Sequence, residues 1–481
     1  MRKTVLMLLA KQVIRAAFGS KAMLVLTGII VLLMVYAAVT GLNEYKKQTA
    51  TRLRFQQQVR ENWEKMPDKH PHRMAHYGYI VFRARHPLSF FDFGTESYTG
   101  NAVFLEAHRQ NTVNFSEAGF STGLLRFGEI SIAMILQVLV PLVIFFTGFS
   151  TVAADRENGT LKLLLSQGTS WKEIITGKSA GLACVALCFL LPAVLLLLLG
   201  WIWTRTEEPA GEALRLPWIV LSYVLYFCII STTAVLVSAV SKTAKAALVA
   251  LIGIWLLFAI ILPRTTQAVG TYLYPSPSKI EFETAIEKDL IIQGDSHDPN
   301  DAHYKALKDS ILHANRADSV AQLSFNYSGF QMREGERLSA EIYNRHLSQL
   351  LGLYAKQNNA SRVSAFLDPF AAIRNISMAV CGTDFNSYVS FQQQAEDYRY
   401  RLAQHMNDLQ IKLISNKKLS DGDKPYSISK NYWKAFPDFT YRRTSQADAM
   451  RQEALSSAAL LFWLAVLTMI IHVLSKKLKA V

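Results

Sequence analysis

The stretch DRENGTLKLLLSQGTSWKEIITGK, Asp155 to Lys178, decides how the rest of the chain is read. On either side stands a long run without a charged residue, 130–154 before it and 179–204 after it. A helix needs about 20 apolar residues to cross a hydrocarbon layer of ~30 Å. Both runs therefore predict spanning helices, and the piece between them predicts a loop on one membrane face. Within the loop Gly159 predicts a turn and Thr160 a helix cap. Leu161 to Leu165 predict a short helix with one apolar face, and Thr169 or Ser170 caps a second turn. A helix of this kind lies along a membrane surface and offers its other face to a soluble partner.

Working outward, uncharged runs recur at 22–42, 130–154, 179–204, 216–241, 246–263 and 454–475, which predicts six spanning helices. The fifth, 246–263, is the shortest that passes. The chain has 481 residues, of which 51% are hydrophobic and 18% charged, against about 25% charged in a soluble domain. That composition excludes a purely soluble enzyme and a disordered chain. Mean hydropathy is only +0.15, too low for a protein that is all membrane. A large polar part must be attached to the spanning part. The first run is longer than the roughly 7–15 apolar residues of a signal peptide, so it reads as a retained first helix. Residues 1–21 ahead of it are basic, and Met7, Leu8 and Leu9 predict an amphipathic helix on the inner membrane surface.

Net charge is +14, and its placement explains it. Residues 1–21, the loop 155–178, Lys242 with Lys245, and the tail 476–481 together carry most of the excess. Short flanks rich in Lys and Arg face the cytoplasm, which predicts cytoplasmic amino and carboxyl termini. Two extracytoplasmic insertions follow, 43–129 and 264–453. A nucleic-acid partner is excluded, because no folded basic domain remains to bind phosphates. Cys184, Cys188 and Cys228 fall in spanning runs and Cys381 stands alone outside them, so no disulfide framework is expected.

The first insertion begins as a helix over 43–64, and the stretch 77–93 reads as short strands, best at Tyr79 to Phe82, with Gly94, Gly100 and Gly119 as punctuation. The second insertion is mostly helical, over 280–293, 300–317, 332–357 and 389–414. Its turns are expected at Asp298-Pro299, Asp368-Pro369 and Ser420-Asp421-Gly422-Asp423. Ten of the eleven histidines lie in the insertions. His70, His72 and His76 cluster, and two histidines at i,i+4 on a helix can share a metal. Pro71 breaks any helix between the first two, however, and no cysteine or carboxylate completes a set. These three are weak candidates, and no metal is expected. Gly177-Lys178-Ser179 imitates the end of a phosphate loop, but Lys172 stands where that motif needs a glycine. No nucleophile stands with a base, so the chain carries no catalytic site.

The loop resembles the coupling region of ABC-2-type transporter permeases, an acidic-Arg-Glu-x-Gly-Thr-Leu element followed by a turn and a Gly-Lys that opens the next helix. Its residues here are Asp155, Arg156, Glu157, Asn158, Gly159, Thr160 and Leu161, then Ser170 and Lys172, then Gly177 and Lys178. The insertions resemble one branch of that superfamily, the permeases with a DUF3526 outer domain, related to the nitrous-oxide-reductase maturation permease. The residues that carry this second resemblance include Asp92 and Gly94, Leu105 to Asn111, Pro263-Arg264, Asp368-Pro369, Ser377 to Ala379, Gly382 to Asp384, Phe391, Glu396 and Arg399.

The resemblance implies a mainly α membrane protein, with six spanning helices of ABC-2 permease type and a large, mostly helical outer domain holding a few short strands. It implies a permease half that pairs with a second permease, identical or related, and with ABC ATPase subunits. ATP and magnesium then belong to the ATPase and no cofactor to this chain. The expected function is an ATP-driven exporter. The alternative is a mechanical or assembly complex in which the outer domain acts on a periplasmic partner and nothing crosses. A membrane-anchored enzyme is the third and weakest reading. Pro141 and Pro192 fall within spanning runs and are candidate hinges.

Overall fold

The computed structural model describes residues 1–113, 129–204, 213–298, 300–417, 420 and 424–478. Gly119 and parts of the turns expected at Asp298-Pro299 and Ser420-Asp421-Gly422-Asp423 lie outside the described residues. The chain opens with α1 (Lys3–Phe18) and continues into α2 (Lys21–Lys65). After the short α3 (Pro71–Ala75), strands β1 (Tyr79–Phe82) and β2 (Ala102–Leu105) pair antiparallel, with Tyr79 opposite Leu105 and Phe82 opposite Ala102. Then come α4 (Ile132–Glu157), α5 (Thr160–Ser166), α6 (Trp171–Trp203), α7 (Arg215–Val240) and α8 (Ala244–Leu273). The second insertion supplies α9 (Lys279–Gln293), α10 (Ala302–Ala314), α11 (Tyr327–Ser364), α12 (Pro369–Cys381) and α13 (Phe385–Leu413). The last helix is α14 (Ala454–Lys477).

Among the described residues six helices, α2, α4, α6, α7, α8 and α14, are long and apolar enough to cross a membrane. Three of them, α2, α6 and α8, extend two turns or more beyond their apolar runs. At 1.5 Å per residue, the 45 residues of α2 reach about 68 Å. No proline interrupts it between its apolar run and Lys65, so the helix expected at 43–64 is its continuation into the polar domain. The fifth run, read as ending at Pro263, continues to Leu273. The reason is a π turn over Leu257–Ile261 immediately ahead of the proline. Proline has no N–H to give the carbonyl four residues back and crowds it, and the wider turn absorbs both problems.

The same device precedes Pro141, where Ile135–Leu139 form a π turn in α4. Backbone polar groups in hydrocarbon must be satisfied inside the protein. The Tyr226 hydroxyl donates to the carbonyl of Gln137 at 3.0 Å, and the Trp255 indole donates to that of Val138 at 3.0 Å. Pro192, by contrast, lies within an unbroken α6.

The polar domain has its own core, and both insertions build it. Trp63, Met74, Tyr79, Val81 and Leu105 pack with Phe391, Tyr398, Met406 and Trp433. Trp63 sits edge-on to Tyr79 at 5.4 Å and donates its indole N–H to the carbonyl of Trp433 at 3.3 Å. Lys69 bridges to Ile428 as a one-residue antiparallel pair. Of the strands expected within 77–93, only Tyr79–Phe82 forms. Residues 87–90 instead make a buried 3-10 turn wedged between α2 and α6.

Because the core is shared, damage in one insertion should reach the other. Trp63→Ala removes a side chain only 2% exposed and should cost about 3–5 kcal/mol. Hydrogen exchange in detergent should then speed up in Phe385–Leu413 as well as in Tyr79–Leu105. Acceleration confined to the first insertion would mean two independent units.

Candidate functional site

The loop between α4 and α6 is built from within. Lys178, on α6, is 2% exposed and reaches back to the Asp155 carboxylate and the Thr151 carbonyl. Arg156 donates to the carbonyls of Ala239, at 2.7 Å, and Ser241, closing the carboxyl end of α7. Its guanidinium also lies 5.9 Å from the Trp171 ring. The Glu157 carboxylate accepts the N–H of Ala244 at 3.3 Å and so caps α8. Leu161 is fully buried under α5. Gly159 has φ +77°, the left-handed conformation that favours glycine. It occupies the cap position expected of Thr160, which is instead the first residue of α5. At the second turn Ser170 and Glu173 form a capping box that starts α6.

Glu173 has a second task. Its carboxylate takes the Arg2 backbone N–H at 2.7 Å and the Arg2 guanidinium at 3.0 and 3.2 Å. Arg2 also donates to the Gly168 carbonyl at 2.8 Å. This pins α1 to the loop, and α1 then packs along the start of α6. A Cβ on Gly177 would stand 2.9 Å from that of Leu9, and one on Gly181 2.6 Å from the Ala10 carbonyl. Both glycines are needed for that close approach. What remains on the surface is a mixed face of Glu157, Asn158, Lys162, Leu163, Gln167 and Lys172.

At the other end of the bundle, α12 is seated among α7, α14 and the turn 87–90. Asp368 caps its start, accepting from Phe370 N at 3.0 Å. Arg215, on the first turn of α7, donates to the last carbonyls, those of Ala379 and Val380, at 3.0 and 2.8 Å. From its middle, Ser377 donates to the Asp92 carboxylate and meets the Tyr223 hydroxyl at 3.2 Å. The Gln137 amide donates to Tyr223 in turn, at 2.9 Å. A buried polar chain thus runs from the first insertion through α12 and α7 to the π turn of α4. Burial pushes the Asp92 carboxyl above its ordinary range. Burial likewise pushes Asp368 up to about 7, against backbone hydrogen bonds that lower it. Its Oδ2 is buried without a hydrogen-bond partner.

A family model described as ABC-2 family transporter protein matches residues 105–274, and one described as a domain of unknown function (DUF3526) matches residues 279–442. The chain carries an ABC-2 permease domain followed by a DUF3526 domain. It is a transporter membrane subunit. The two matches meet in the short connection between α8 and α9. The loop 155–178 and the bundle helices α4 to α8 lie within the first, and α9 to α13 within the second. No curated protein and no solved structure compared with the chain matches it.

The loop residues singled out in the sequence divide into two groups. Asp155, Arg156, Gly159, Thr160, Leu161, Ser170, Gly177 and Lys178 hold the permease loop in shape, whereas Asn158 and Lys172 are displayed, as is Glu157 beyond its cap on α8. Glu173 and Arg2 were not among them, and only the Ser-x-x-Glu spacing of the capping box signalled the first. Of the candidate hinges, Pro141 follows a π turn and Pro192 does not, while Pro263, not singled out as a hinge, does. The histidine cluster forms on different terms than its spacing implies. Pro71 opens α3 rather than breaking it, and the His70 ring accepts the His72 N–H as the helix cap, turned away from the others. His72 and His76 instead meet His108 and His297.

Two consequences can be measured. Asp155→Leu strands the Lys178 ammonium in the interior and should destabilise the permease by roughly 3–5 kcal/mol. Adding Lys178→Met should restore most of the loss in detergent melting curves, a rescue that a pair without coupling would not give. Asp368 titrates near 7 when folded, against a reference of 3.8. Its neutral form therefore contributes stability below that reference value, and the contribution fades as pH rises through about 7. Asp368→Asn keeps the cap and stays neutral. Between pH ~4 and ~7.5 the wild type should lose on the order of 4 kcal/mol relative to it, read as a widening gap in Tm. A constant gap would contradict the assignment.

Proposed function

We propose that this chain is the membrane-spanning half of an ATP-driven exporter, powered by separate ATPase subunits that dock on the loop 155–178. The observation that carries the reading is the construction of that loop. A rigid scaffold of buried ion pair, helix caps and anchored leucine presents a small charged and apolar face that stands exposed among the described residues. Its exposed centre is Leu163, at 63%, flanked by Glu157, Lys162 and Lys172. The basic flanks support a cytoplasmic position for this face in a bacterial inner membrane, with the polar domain outside it. A second permease, identical or related, completes the pathway, and ATP with magnesium is bound by the ATPase.

A second reading is favoured by one observation. Helix α2 runs unbroken from the bundle to Trp63 in the core of the polar domain. Tilting of the bundle would therefore swing that domain as a lever, which suits mechanical work on a periplasmic partner without passage of a substrate. Proteoliposomes holding permease and ATPase separate the two, because only export predicts ATP-dependent movement of a solute.

Docking itself is tested on the displayed residues. Glu157→Lys combined with Leu163→Asp should leave membrane insertion intact. Charge reversal and burial of a carboxylate at an interface typically cost about 2–5 kcal/mol, so capture of the co-expressed ATPase should fall more than tenfold. Stimulated ATP hydrolysis should fall with it. Unchanged capture and hydrolysis would remove the loop from the coupling role.

A further inference from the structure

The histidines that sequence spacing left incomplete are completed by the fold. His72 lies in α3 and His76 at its end, one turn later, so both rings emerge on one side. His108 follows β2, and its backbone takes φ +63°, unusual for a residue with a side chain. His297 comes from the loop between α9 and α10. One ring nitrogen from each of the four lies within 4.8 Å of the others. Ring centroids are 4.6 Å apart for His72 and His76, 5.2 Å for His76 and His108, and 5.0 Å for His108 and His297.

The surroundings are those of ligands rather than of packing. His72 Nδ1 and His108 Nε2 are buried and have no hydrogen-bond partner. His108 turns its other nitrogen, Nδ1, to Glu336 Oε2 at 3.2 Å, and that carboxylate also takes the His108 N–H at 2.8 Å. Glu336 is fully buried and held by Arg399 at 2.6 Å, itself clamped by Glu396. His297 likewise turns Nδ1 to Asp295, at 3.3 Å. A carboxylate behind a histidine sets its tautomer and orients the free nitrogen toward a metal. Four imidazole nitrogens with no thiolate or carboxylate suit a borderline divalent ion of the zinc class, not magnesium or calcium. Zinc–nitrogen bonds of about 2.0–2.1 Å need the four nitrogens slightly closer, a movement that the exposed His76 and His297 can make.

We propose that His72, His76, His108 and His297 form a tetrahedral site for a zinc-class divalent cation that ties the second insertion to the first. Three ligands come from the first insertion and one from the second, so occupancy fastens the loop before α10 onto the hairpin. The open side at His76 and His297 lets the ion exchange with the medium, and the site reports the metal content of the compartment that the polar domain faces.

The test uses the full chain in detergent, stripped with a chelator and titrated with zinc, with cobalt(II) as a spectroscopic probe. One ion per chain is expected, together with visible cobalt bands of tetrahedral intensity and a Tm that rises with zinc. His297→Ala, at an exposed position that leaves folding intact, should weaken zinc binding at least tenfold and abolish the tetrahedral bands. Glu336→Gln should weaken binding about 10–100-fold. His70→Ala, which removes only the helix cap, should retain the site. Stoichiometry well below one, or zinc affinity and cobalt bands unchanged in His297→Ala and in His72→Ala, would overturn the assignment.

Discussion

The guanidinium of Arg215 begins one helix and ends another, and much of the molecule depends on that double use. As the first residue of α7 it stands at the mouth of the bundle, and there it takes up the last carbonyls of α12. A helix of 13 residues is too short to span and leaves four carbonyls without partners at its end. Seated against apolar neighbours, those groups must find donors in the protein. Arg215 supplies them, and at the other end the Asp368 carboxylate accepts a free N–H. With its termini closed, α12 can bury nearly its whole surface between the bundle and the polar domain. Asp92 of the first insertion, Ser377 of the second and Tyr223 of α7 then meet at one point.

The two ends of the bundle are built on a common plan. At the loop face, Lys178 and Asp155 join α6 to α4, Arg156 closes α7, and Glu157 opens α8. Four spanning elements are therefore tied to one polar segment, while α1 is held to it by Arg2 and Glu173. A push on the loop would reach all of them together. At the opposite end, π turns ahead of Pro141 and Pro263 give α4 and α8 places to bend. The carbonyls freed in α4 are already held by Tyr226 and Trp255. Helix α2 carries any resulting tilt directly into the core around Trp63.

Much of this was legible because hydrocarbon imposes a simple rule. Uncharged runs of spanning length have few alternatives, so six helices and two polar insertions could be read from the residues. What escaped the sequence was non-local. Pro263 reads as a helix end unless a wider turn is allowed ahead of it. Thr160 reads as a cap unless the glycine before it adopts a positive φ. Three histidines close in sequence suggest a group, yet His70 turns aside as a cap. The ring is completed by His108 and His297, which only the joining of hairpin and loop brings near. Glu336, Glu396 and Arg399 gave no spacing signal of a shared role, because Glu336 lies on α11 and the other two on α13. Asp92 and Ser377 likewise met only through the seating of α12.

The central claim is that the face around Leu163 receives an ATPase. A photoreactive amino acid placed at position 163 in the full chain, irradiated in intact cells, tests it most directly. The account predicts an adduct that contains an ATP-binding-cassette subunit. The same probe at Lys305, on the polar domain, should give no such adduct. Adducts from position 163 that lack an ATP-binding-cassette protein, or ATPase adducts of equal yield from Lys305, would contradict it.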